Sequence, residues 1–156
     1  QQSFGLLRTN LQSKVIYAKP SFYAVRNMVN LLPDGIEPFE IEYSHNSSKT
    51  IKAVGLRRSS DKSIAGVMFY FCDDAPRSSL QYSDVTVTFK NLKIKAPVFV
   101  EPVTGRVFNL GLYHRSPNSP DEKFTNLPVW DSPLFLMSSE YVPVCPTDNT
   151  TDLNEF

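Results

Sequence analysis

The chain has 156 residues, 41% apolar and 21% charged, and its 16 basic and 16 acidic side chains cancel to a net charge of zero. That length suffices for one domain with a real core and is too short for two full ones. A balanced charge without a Lys/Arg-rich block argues against a nucleic-acid partner, and no apolar run nears the ~20 residues that cross a bilayer, so membrane insertion is not expected.

In chain order, two short apolar pieces come first, Phe4-Gly5-Leu6-Leu7 and Val15-Ile16-Tyr17-Ala18, around a polar turn over 9–14. They form either a hairpin or the strand-and-loop tail of something larger. The spacing then predicts one helix over 20–32. Pro20 suits its first turn, where a missing N–H is no loss, and Pro33-Asp34-Gly35 stops it. Phe22, Val25, Met28, Val29 and Leu32 recur at helical spacing and are expected to make its core-facing stripe.

From Ile36 the period becomes twofold. Residues 37–45 place Phe39, Ile41 and Tyr43 on one strand face, with Glu40, Glu42 and Ser44 on the other. After a polar turn over 46–49, Ile51, Ala53 and Gly55 share a face of a second strand. Asp61-Lys62-Ser63 turns into the most hydrophobic strand, 64–72, expected to be central and buried on both sides. Residues 73–79 read as a polar loop. In 84–89, Val85, Val87 and Phe89 alternate with polar neighbours.

The stretch APVFVEPVTGRVFNL, residues 96–110, reads as strand, tight turn and returning strand, with Gly105 free to take a positive φ. NLPVWDSPLFLM, residues 126–137, is extended and punctuated by Pro128 and Pro133, which fit an edge or a strand start. The loop over 114–123 is rich in Pro, Ser and Asp and is expected to be mobile, and the tail over 143–156 to be loosely held. The fold class is therefore mainly β: an antiparallel β-sandwich of about eight strands preceded by one N-terminal α-helix.

No motif calls for a cofactor. The histidines, His45 and His114, are the only two, lie far apart in sequence and are expected at the surface, without the clustering a metal wants. Ser132, His114 and Asp131 make a triad only on paper, since no GxSxG elbow is present. Asp73-Asp74 at a strand end reads as a solvated turn rather than a calcium site. Cys72 and Cys145 lack CxxC spacing; they are either two thiols or a disulfide made in an oxidising compartment. Asn46-Ser47-Ser48 and Asn149-Thr150-Thr151 match the N-glycosylation acceptor pattern, which is short enough to arise by chance and has no consequence in a bacterial host. Trp130, Tyr113 and Tyr82 are candidate sugar contacts if exposed in a row, although a tryptophan beside proline-rich strand ends also suits a partly buried core. Gly105, Asp131, Ser132 and Pro133 are candidate turn-forming residues, with the Asp131 carboxylate accepting a backbone N–H just beyond it.

Three stretches in this order carry a resemblance. Residues 6–32, LLRTNLQSKVIYAKPSFYAVRNMVNLL, resemble the last strand, loop and final helix of a clan-A (β/α)8-barrel glycoside hydrolase. Residues 96–110 resemble the P-V-x-V-x-x-x-T-G-x-V strand-turn-strand of the β-sandwich that follows such barrels, and 126–139 its x-x-P-V-x-D-S-P-L-x-L piece. The chain departs from the family at Glu101-Pro102, where Asp-Leu is usual, and at Trp130, where Tyr is common. The resemblance implies a remnant of a barrel end over 1–35, a sandwich domain over 36–143 and a tail over 144–156. The catalytic carboxylates of that clan belong to the fourth and seventh barrel strands, and both would lie upstream of Leu6. It further implies a non-catalytic accessory domain, partnered by the (β/α)8 barrel of a parent glycosidase and located outside the cytoplasm or secreted. The chain alone is then expected to be inactive on glycosides. The alternatives are a carbohydrate-binding module and an independent cell-surface interaction domain.

Overall fold

The computed structural model describes residues 6–9, 15–71, 83–110, 114–116, 120–130, 132–142 and 151–152. Among them lie one α-helix, α1 (Pro20–Leu31), a 3-10 turn at Ser139–Tyr141, and thirteen strands. The strands are β1 (Leu7–Thr9), β2 (Val15–Ala18), β3 (Ile36–Phe39), β4 (Tyr43–His45), β5 (Ile51–Arg58), β6 (Ile64–Phe71) and β7 (Ser83–Phe89). They continue with β8 (Pro97–Glu101), β9 (Arg106–Asn109), β10 (Arg115–Ser116), β11 (Glu122–Val129), β12 (Leu134–Ser138) and β13 (Thr151–Asp152). β1 and β2 pair alone as an antiparallel hairpin.

The others form two facing sheets. One has seven strands in the order β13-β9-β8-β12-β6-β5-β3, the other four in the order β10-β11-β7-β4. Every pairing is antiparallel except β13 on β9. Eight of the strands in these sheets are four residues or longer; β4, β10 and β13 add only two or three residues each. The mainly β sandwich with a leading helix is thus the architecture of the chain.

The alternation read from sequence sorts side chains to the two faces of the seven-stranded sheet. Val67, Phe69, Phe99, Phe108, Leu134 and Leu136 face inward, onto Val85, Val87, Phe89, Phe124, Leu127 and Val129 of the smaller sheet. The rings of Phe69, Phe99 and Phe108 follow one another at 6.3 and 6.2 Å, and Phe89 meets Phe124 edge-on at 6.2 Å. Each such buried ring stabilises the fold by roughly 1.5–3 kcal/mol. On the opposite face Leu56, Ala65, Val98, Val100, Phe135 and Met137 are covered by α1 through Leu31, with Met28 and Leu32 beside it. The molecule therefore has three layers: helix, large sheet, small sheet. β12 is buried on both faces, as a near-continuous apolar run requires. β6, expected to be buried on both sides, is fully buried at Val67 and Phe69 on its inner face and only half-buried at Met68 and Tyr70 on the other.

Pro128 sits within β11 opposite Asp84 of β7, and among the described residues β10 covers only Lys123 and Phe124, so this part of the strand is an edge, where proline is tolerated. Pro133 immediately precedes β12.

Several expectations are corrected. Residues 37–45 are not one strand: β3 belongs to the large sheet and β4 to the small one. Phe39, Ile41 and Tyr43 still pack on the common inner core, because a strand that changes sheets at a corner keeps its inward face. The helix is rotated relative to the expected stripe. Leu31 is 3% exposed, whereas Val25 is 43% and Val29 62% exposed. Leu31 and Met28 reach the sheet because α1 is apolar on two sides, and only one of these meets the sandwich. His114 is buried rather than at the surface, with Nδ1 2.9 Å from the Thr125 carbonyl. Of the region over 114–123, expected to be mobile, residues 114–116 and 120–123 supply β10, the start of β11 and the fully buried Glu122, and 117–119 lie outside the described residues. Of the tail, expected to be loosely held, Thr151 and Asp152 pair with Phe108 and Asn109, and the rest lies outside the described residues.

Candidate functional site

The features that could meet a partner collect at α1 and at the β8–β9 turn on which it rests. The turn is built around Glu101. Its carboxylate accepts the N–H groups of Val103 at 2.7 Å and Thr104 at 2.8 Å, and also the Thr104 hydroxyl. The Gly105 N–H closes the turn onto the Glu101 carbonyl at 2.9 Å. Three donors within four residues satisfy a carboxylate whose residue is only 3% exposed, so the charge is compensated locally.

Gly105 has φ +75°, as the sequence requires of a tight turn here. It also lies against the helix: a Cβ at Gly105 would stand 2.9 Å from Nδ2 of Asn27. That amide donates to the Pro102 carbonyl at 2.8 Å. The turn is therefore a polar latch for α1 at the rim of the apolar contact made by Leu31. Under the helix a small cleft of about 70 Å³ remains, lined by Asn27, Asn30, Leu31, Val100, Gly105 and Val142 among others.

The other side of α1 is open. Val25 and Val29 there are 43% and 62% exposed, while Tyr23, about 200° round the helix from Val25, is 42% exposed with Arg26 over its ring at 5.2 Å. In the hairpin that leads into the helix, Leu6, Leu7 and Tyr17 are exposed as well. Lys19, at the helix start, donates its N–H to the Leu6 carbonyl and so ties the hairpin ends to α1. Large apolar side chains gathered on one segment are what an interaction face presents.

A wider groove of about 550 Å³ opens at the far end of α1, between Pro33, Gly35, Ile36, Arg58, Ser60 and Tyr141. The Arg58 guanidinium covers the Tyr141 ring at 5.3 Å, and Asp61 holds Arg58 at 3.4 Å. Next to it, Glu37 on β3 accepts from Arg57 at 2.7 Å and from Lys62 at 2.8 Å. These bonds, Lys62 first and Arg57 second, lower the Glu37 carboxyl from 4.5 to about 2. A depressed carboxyl pKa stabilises the fold above the unfolded value and loses that contribution as pH falls. Thermal stability is expected to fall between pH 4.5 and about 2 as Glu37 protonates and β3 loosens. Melting Glu37→Gln across this range checks it: the variant should show a shallower acid limb.

The carboxylates with recorded partners serve structural contacts. Glu122 is fully buried, 2.5 Å from Arg115 and 3.9 Å from Lys93, and Asp61 accepts both the N–H and the hydroxyl of Ser63. Among the described residues, no three His, Cys, Asp or Glu stand close enough to hold a metal ion. No helix of the described chain is long and apolar enough to cross a membrane.

Of the candidate sugar contacts, Trp130 is half-buried against the inner core, beyond the end of β11. Tyr82 and Tyr113 lie outside the described residues, as do Asp131, Cys72 and Cys145. Ser132 and Pro133 are half-buried beside β12. The structure therefore places Gly105 at the helix latch. Asn27 and Glu101, its partners there, escaped the sequence reading; an acid three residues before a Thr-Gly pair was the available signal for Glu101. No family model, characterised protein or solved structure matches this chain.

Proposed function

We propose that this chain is a non-catalytic accessory β-sandwich of a glycoside-hydrolase-like protein, packing on a (β/α)8 barrel and stabilising it. The observation that supports this reading is the two-sided helix. One side of α1 is sealed on the large sheet through Leu31 and Met28, and the other leaves Val25 and Val29 in water. A helix shared by a barrel and a sandwich needs both sides apolar, and the resemblance over 6–32 assigns this segment to a barrel end. Residues 1–35 are then the connection, 36–143 the sandwich and 144–156 the tail, in a protein that works outside the cytoplasm.

Catalysis would belong to the barrel, where two carboxylates about 5 Å apart serve a retaining mechanism. The chain alone is expected to turn over no aryl-glycoside or polysaccharide and to be retained by no glycan on an array. Turnover that disappears on replacing a single Asp or Glu would overturn the reading. Glycan retention that Trp130→Ala abolishes would favour a carbohydrate-binding module instead.

A further inference from the structure

We propose that Asn46 is an attachment site for an N-linked glycan. Asn46 follows β4, the edge strand of the small sheet, and is exposed. Its backbone N–H donates to the Thr86 carbonyl at 3.2 Å, and its side-chain oxygen accepts the Thr86 N–H at 2.8 Å. The fold thus uses the amide oxygen, while Nδ2 makes no hydrogen bond among the described residues. An N-glycan has the complementary requirement: it bonds to Nδ2 and leaves the carbonyl oxygen as an acceptor.

The rest of the triplet agrees. Ser47 occupies the middle position, where proline is forbidden, and its hydroxyl accepts the Lys49 N–H at 3.1 Å, which holds the turn. Ser48, the residue the acceptor pattern requires, is exposed and has no side-chain hydrogen bond among the described residues. The donor would be a lipid-diphosphate-linked oligosaccharide. The Nδ2–C1 bond forms as the bond from C1 to the diphosphate oxygen breaks. The lipid diphosphate leaves with the electron pair, and Nδ2 gives up one proton to the transferase.

The place is also a useful one. Among the described residues β4 pairs with β7 on one side and with no strand on the other, and a bulky polar group there blocks edge-to-edge pairing with another chain. The small sheet lies across the large sheet from α1, so a glycan leaves the helix face clear. Asn149, the acceptor of the other triplet, lies outside the described residues.

The test is expression of the full chain behind a secretory leader in yeast or mammalian cells. Peptides are mapped from both medium and cell membranes after N-glycosidase treatment in heavy-oxygen water. Most Asn46 is expected to appear as label-bearing Asp. Ser48→Ala should abolish the label and leave the melting temperature unchanged, because the Asn46–Thr86 bond remains. An unlabelled Asn46 peptide in both fractions, or a label that survives Ser48→Ala, would overturn the proposal. Neither readout depends on what covers α1.

Discussion

Arg115→Met is expected to destabilise the fold by about 3 kcal/mol, near the low end of what stripping the partner from a buried ion costs. The Glu122 side chain is fully buried, and Arg115, at 2.5 Å, is its nearest cation. Lys93 at 3.9 Å and the Ile94 N–H at 3.4 Å remain, which is why the loss stays at the low end. Arg115 also donates to the Ile94 carbonyl at 3.3 Å, so it joins β10 to the segment between β7 and β8. The double variant Arg115→Met with Glu122→Leu removes both charges and should recover most of the loss. Denaturant midpoints of the three proteins check this. A double variant no more stable than Arg115→Met would mean that packing, not the uncompensated carboxylate, carries the effect.

Gly66→Ala is expected to cost about 3 kcal/mol, the upper end for overpacking, and to lower the melting temperature by roughly 10 °C in a chain of this size. Gly66 lies in β6 opposite Met137 of β12. A Cβ there would run into the Leu136 carbonyl oxygen and stand 2.9 Å from the Met137 Cα, so backbone rather than a flexible side-chain end would have to move. These are the central strands of the large sheet, and they cannot part without disturbing both hydrophobic clusters. Gly55 differs: there a Cβ would be 2.5 Å from the tip of the Phe39 ring and 2.6 Å from Cγ2 of Ile41, ends of partly buried side chains rather than backbone. Thermal melts of the two alanine variants should rank Gly66 as the more damaging.

The large features of the fold were legible because they depend on period and punctuation. Pro20 and Pro33-Asp34-Gly35 bound α1, and alternation marked β5, β7 and β8, with the inward face of β7. The change of sheet after Phe39 was hidden because Phe39, Ile41 and Tyr43 face one core from two sheets. The rotation of α1 was hidden because Val25 and Val29 are as apolar as Met28 and Leu31, and a period cannot say which side meets the sheet. Glu122 and His114 read as loop residues, since their burial depends on Arg115 and on the Thr125 carbonyl, contacts set by strand pairing. The Glu101–Gly105 turn was half visible. Its glycine was marked by sequence, but its contact with Asn27 spans 75 residues along the chain.

In the proposed reading the open side of α1 seats a barrel. The most direct measurement is sedimentation of the isolated chain with clan-A glycosidase barrels from which their own C-terminal sandwich has been removed. A one-to-one complex is expected, lost in Val25→Asp/Val29→Asp while that variant melts as the parent does, because both side chains are exposed. No complex with any of the barrels, or a complex that the double variant leaves intact, would contradict it.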